Sequence, residues 1–165
     1  MPRLLKQGRI VPDPWRVAGA DEPLSEQGRY IVPFARWQAE QASLRQRSGP
    51  LGVRLAVEDD PELLAPGLDA LSLVALEFPG FRDGRAYTQA RTLRERLGFR
   101  GEIRAVGEVL RDQLAFMSRC GFDTFEVDER IDGEVFARAH AEFSVHYQPA
   151  TDGPGLARRG TFARP

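Results

Sequence analysis

Between residues 30 and 143, short apolar runs alternate with stretches of helical period, and no other feature narrows the choice of fold as far. The apolar runs lie at 30–34, 51–57, 71–78, 102–106 and 122–127. The run LSLVALEF at 71–78 is the most strand-like, and its near-continuous apolar character fits a strand covered on both faces of a parallel sheet. A helical signal follows each run. At 35–47, Phe34, Trp37, Gln41 and Leu44 mark one face. Asp59, Asp60, Pro61 and Glu62 open the next helix with an acidic cap and an early proline. At 83–97, Ala86, Ala90, Leu93 and Leu97 recur at four-three-four spacing. At 108–119, Val106, Leu110, Leu114 and Met117 keep register until Gly121 stops the helix. A closing helix spans 133–143. Five strands joined to helices by short connections imply a mostly parallel sheet with right-handed crossovers. The expected architecture is a flavodoxin-like three-layer sandwich, with half of a β/α barrel as the alternative. Periodicity does not separate an open sheet from a curved one.

A chain of 165 residues that is 42% hydrophobic supports one domain with a real core. Composition divides it into three zones. Residues 1–28 are rich in proline and glycine, and 4–11 reads as a short hairpin turning at Gln7-Gly8. Residues 29–147 form the single α/β domain. Residues 148–165 hold Pro, Gly and Arg with little to bury and read as a disordered tail. A net charge of −1 argues against nucleic acid or an anionic membrane as a partner held by bulk electrostatics. Lys6 is the only lysine, so the positive charge is nearly all arginine, which suits planar bidentate contacts with carboxylates or phosphates. Cys120 is the only cysteine, which excludes an internal disulfide, a cysteine zinc site or an iron–sulfur cluster built from this chain alone. It reads as a small core thiol, and Trp15 and Trp37 as packing anchors. His140 and His146 stand six apart, not a useful metal spacing on one helix, and no metal is expected. With no apolar stretch near 20 residues and no charged-then-apolar leader, the expectation is a cytoplasmic protein without membrane contact.

The candidate chemistry sits where strands turn into helices, the places at which α/β proteins bind ligands and partners. After the run at 71–78 comes PGFRDGRAY. Asp83 stands at the helix N-cap, and Arg85 and Tyr87 project from the first turn. An arginine at that end opposes the helix dipole, which points to an anionic ligand or a carboxylate partner; pairing with Asp83 or Glu77 is the structural reading. In the next turn, RAVGEVLRDQ, Gly107 permits close backbone approach, and Arg111, Asp112 and Gln113 fall beside the same sheet edge as Asp83 and Arg85. Neither GxGxxG nor GxxxxGK[ST] is present, so nothing in the sequence indicates a nucleotide cofactor.

The stretches DGRAY (83–87), RTLRERLG (91–98), RAVG (104–107), LRDQL (110–114) and RCGFD (119–123) resemble the signature of a bacterial family called domain of unknown function 934. The similarity runs from about residue 52 to 147. Members of that family carry the label of oxidoreductases involved in sulfite reduction. The resemblance therefore implies sulfur assimilation and cysteine biosynthesis as context, with the sulfite reductase hemoprotein or another sulfur-assimilation enzyme as partner. Two roles stand open. In the first, the chain is an accessory protein whose anion- or partner-binding residues are Arg85, Tyr87, Arg91, Arg104, Gly107, Arg111 and Gln113. In the second, it is a small enzyme acting on a sulfur or phosphate oxyanion, with Asp83 or Asp112 as acid/base. No cofactor is indicated by the residues, and the oxidoreductase label finds no nucleotide, metal or redox-cysteine motif among them.

Overall fold

The computed structural model describes residues 1–80 and 82–142, so Phe81, the end of the expected helix at 143, His146 and the expected tail at 148–165 lie outside the described residues. Eight strands form one sheet: β1 (Arg3–Lys6), β2 (Arg9–Val11), β3 (Arg16–Val17), β4 (Tyr30–Pro33), β5 (Leu51–Leu55), β6 (Leu73–Phe78), β7 (Glu102–Gly107) and β8 (Thr124–Val127). Four α-helices accompany them: α1 (Phe34–Leu44), α2 (Arg85–Arg91), α3 (Leu114–Cys120) and α4 (Gly133–Ala141). Strand order is β2-β1-β8-β7-β6-β5-β4-β3, and β3 through β8 run parallel in sequence order.

That order corrects the first expectation. A flavodoxin-like sandwich needs the strand order to reverse at one point, which sends crossovers to both faces. Here each strand from β4 to β8 pairs with its predecessor, so successive right-handed crossovers place their connecting helices on one face. The molecule is a curled half-barrel. It has eight strands rather than five because the expected hairpin, β1 and β2 turning at Gln7-Gly8, joins the same sheet alongside β8, and the short β3 from the stretch at 1–28 adds to β4.

The curl follows from chain geometry. A flat eight-stranded sheet would be about 34 Å wide at ~4.8 Å between strands. Its two outermost strands, β2 and β3, are consecutive in the chain, and the steps from Val11 to Arg16 reach ~18 Å at most. The edges must therefore bend toward each other, with residues 12–15 as a strap across the concave face. Asp13 in that strap contacts Arg104 of β7, and Trp15 packs on Ile31, Leu73, Ala75 and Val106.

The convex face holds the main core. Val53, Leu55, Val74, Leu76, Phe78, Ile103, Ala105 and Phe125 pack against Trp37, Leu64, Ala86, Ala90, Leu93, Leu114 and Met117. Truncating one of these, Leu76→Ala for example, removes ~2–5 kcal/mol. The expected helices are shorter and less regular than periodicity indicates. Residues 61–70 wind as a tight 3-10 helix capped by the Asp60 carboxylate on the Glu62 N–H, with Pro66 and Gly67 opposing an α-helix. The helix of 83–97 starts at Arg85 and widens into a π turn over Thr92–Arg96. That of 108–119 begins as a 3-10 turn at Arg111–Gln113 and ends at Gly121, whose φ of 110° is left-handed. No helix among the described residues is long and apolar enough to cross a membrane.

Candidate functional site

The sequence-predicted residues are split by the fold. Asp83 precedes the cap of α2, which is Gly84, and its carboxylate accepts from the Arg85 N–H at 3.1 Å. The Arg85 guanidinium folds back on Asp83 (Nη2 to Oδ2, 2.5 Å) and lies 3.5 Å from Glu58. The hydrogen bond from Arg85 holds the Asp83 carboxyl below its ordinary range, and Asp83 in turn raises the Arg85 pKa. Arg111 pairs with Glu142, just past the end of α4, at 2.6 Å, and Arg91 with Glu95 at 3.4 Å. Asp112 is exposed, and Gln113 is partly buried beside it. Tyr87 lies in an aromatic cluster, 5.1 Å from Phe78 edge-on and 4.8 Å from Phe116. Burial pushes its phenol up to about 12, with Cys120 adding to the rise, so Tyr87 stays protonated at neutral pH. Asp83 and Arg85 thus form one ion network with Glu58, and Arg111 forms another with Glu142.

Arg104 belongs to neither network. It points to the concave face, is 0% exposed, and is gripped by carboxylates from two directions. Its Nη1 and Nη2 donate to Asp13 at 2.7 and 3.1 Å, and its Nε and Nη2 donate to Glu102 at 3.2 and 3.1 Å. Glu126 stands 3.9 Å away. The Thr124 hydroxyl donates to Glu102 at 2.7 Å, and Lys6 lies 4.0 Å from the same carboxylate. Beside this group Arg54 of β5 pairs with Glu77 of β6 at 3.1 Å. A buried guanidinium is tolerable only when so paired, and the strap residue Asp13 supplies part of the compensation.

The same stripe of charge rises into a cavity of about 630 Å³ at the C-terminal ends of the strands, lined by Arg54, Gly107, Glu108, Glu126, Asp128 and Glu129. Gly107 ends β7 with φ 88°, and a Cβ there would sit 2.5 Å from the Phe78 carbonyl oxygen, so only glycine fits the turn into this rim. Burial holds the Glu126 carboxyl above its ordinary value, outweighing the opposite pull of Arg104 and Arg54, and Asp13 adds to the rise. Burial thus biases Glu126 toward its protonated form. Four lining carboxylates face one arginine, itself paired with Glu77, and the amino end of the chain at Met1. Such a mouth disfavours an oxyanion. Among the described residues no group of three or more His, Cys, Asp or Glu side chains is placed to hold a metal ion, and Cys120 is buried.

Arg54, Glu126 and Asp13 were not among the expected site residues, and Glu77, expected as a partner of Arg85, pairs with Arg54 instead. A signal existed. LGVRL, LVALEF, EIRAVG and TFEV each carry charge at positions of one parity. A sandwich with apolar helices on both faces has no place for those side chains, whereas a sheet with a polar concave face does.

No curated protein matches the chain. A family model described as a bacterial protein of unknown function matches residues 52–156, which takes in β5 through α4 and the Asp83, Arg104 and Gly107 turns. The match spans well over half of the 165 residues, and the chain therefore belongs to the bacterial family DUF934.

Proposed function

We propose that this protein is an accessory protein of assimilatory sulfite reduction, in the route to cysteine, that docks on the sulfite reductase hemoprotein. The observation that carries the docking half is on α3. Phe116 is 48% exposed yet stacks on Tyr87 of α2, and Leu110, 40% exposed, lies next to Arg111 in the segment leading into the same helix. Aromatic groups interspersed with arginine are the composition that protein interfaces favour. Arg85 and Arg111 hold carboxylates of their own chain, which suits an interface rim better than capture of a free oxyanion. The sulfur-assimilation half rests on the family resemblance carried by the DGRAY, RAVG and RCGFD stretches.

A second reading, an enzyme or oxidoreductase acting on a sulfur or phosphate oxyanion at the C-terminal edge of the sheet, draws on Glu126 and Arg54 in the mouth cavity. The excess of carboxylates there weighs against it.

Binding of the purified protein to purified sulfite reductase hemoprotein from the same host, followed by titration calorimetry, tests the proposal. Wild type is expected to bind, and Phe116→Asp to weaken the complex at least tenfold. Exposed Phe116 is not needed for the core, so the variant remains folded. No heat with wild type at tens of micromolar overturns the docking role.

A further inference from the structure

A second and larger cavity opens at the opposite end of the strands. It measures about 860 Å³, within the size range of small-molecule sites. Its walls come from the segment before β7 (Phe99, Arg100), the segment before β8 (Phe122), and α3 and α4 through Ser118, Phe136 and His140. None of these residues belongs to the C-terminal mouth or to the Phe116 surface.

Its charges divide in an informative way. Arg94 is consumed. It donates to the carbonyls of Phe99, Gly101 and Gly121 at 2.8 to 3.1 Å and pairs with Asp123 at 2.5 Å, which ties the loops before β7 and β8 together. Arg100 is exposed, and no carboxylate among the described residues pairs with it. The groove therefore keeps a cation that the fold does not use. Behind it, the His140 ring lies 4.0 Å from Phe136 in a tilted stack, its Nδ1 held 3.0 Å from the Phe136 carbonyl and its Nε2 3.0 Å from the Ser118 hydroxyl. The backbone contact fixes the ring, and the hydroxyl also reaches the Leu114 carbonyl oxygen at 3.0 Å, so this pair is held rigidly in a wall of mixed aromatic and polar side chains that includes Lys6, Glu102 and Asp123. Phenylalanine side chains lining a groove beside a guanidinium without a carboxylate are elements that hold a small organic anion.

We propose that this groove binds a small organic anion, with a flat apolar body against Phe99, Phe122 and Phe136 and its charged group on Arg100. The test titrates 1-naphthalenesulfonate into the ¹⁵N-labelled full chain, with uncharged 2-naphthalenemethanol as the comparison. Amide shifts are expected to saturate and to centre on Gly98, Gly101 and Gly121, which line the groove. The uncharged compound is expected to bind at least tenfold more weakly. Arg100→Glu, an exposed substitution that leaves the core untouched, is expected to lower the affinity for the sulfonate at least tenfold and to leave that for the alcohol unchanged. Shifts centred on Phe116 instead, or equal affinity of wild type and Arg100→Glu for the sulfonate, overturn the proposal.

Discussion

Glu126 shows how one side chain can be placed against its own charge. It sits on β8, where the pleat directs it toward Arg104, yet burial costs its carboxylate more than the arginines return. Its folded pKa lies above the ordinary value of 4.5, so through the interval between the two the native state keeps a proton that the unfolded state has lost. Stability then falls as pH rises through that interval and is fullest below it. Glu126→Gln removes the ionisation while keeping the shape. The variant is expected to melt above wild type at about pH 7 and level with it at about pH 4, read by thermal unfolding at both values. A gain of equal size at both would mean that packing, not charge, is responsible. The paired cation is a different case. Arg104 has Asp13 and Glu102 in direct hydrogen-bond contact and no route to water, so it acts as a structural clamp between strap and sheet.

At the level of elements, the β1–β2 hairpin departs from its best local chemistry. Gln7 and Gly8 take φ of 48° and 76°, the pair of positive values that defines a type I′ turn. Glycine accepts this freely. Glutamine does not, and asparagine is the residue usually found there. Gln7→Asn is expected to stabilise the protein by ~0.5–1 kcal/mol in urea unfolding. A loss instead would show that the Gln7 side chain, which borders the N-terminal groove, contributes contacts that outweigh its backbone strain. The π turn at Thr92–Arg96 is another local departure, and it precedes the residues that build that groove.

At the scale of the whole molecule, closure depends on residues outside the family match. Strands β1 and β4 flank β8 and β5, and the strap between β2 and β3 covers the concave face. A fragment of residues 52–156 would leave β5 and β8 as bare edges, strip Trp15 from Leu73 and Ala75, and deprive Arg104 of Asp13. It is expected to lack cooperative unfolding and a dispersed amide spectrum. A sharp two-state transition from that fragment would refute the structural role assigned to the N-terminal strands. The two cavities lie at opposite ends of this closed unit, one acidic and one carrying the uncommitted Arg100.

Local features were legible from the residues alone. The parallel strands β4 to β8 were legible because burial on the convex face imposes an apolar pattern at 51–55 and 73–78, and Asp60 and Gly121 marked helix ends because capping is a matter of adjacent residues. The turn residues Asp83, Arg85 and Gly107 were legible for the same reason. Strand order was not, since pairing is set by packing between segments far apart in the chain, and that order alone separates a sandwich from a half-barrel. Nor could local pattern reveal that Arg104 turns inward to meet Asp13, 91 positions away, or that Ser118 and His140, 22 apart, close on each other at 3.0 Å. The first contact exists because a short strap joining the two outermost strands lies across the curled sheet, and the second because α3 and α4 pack side by side.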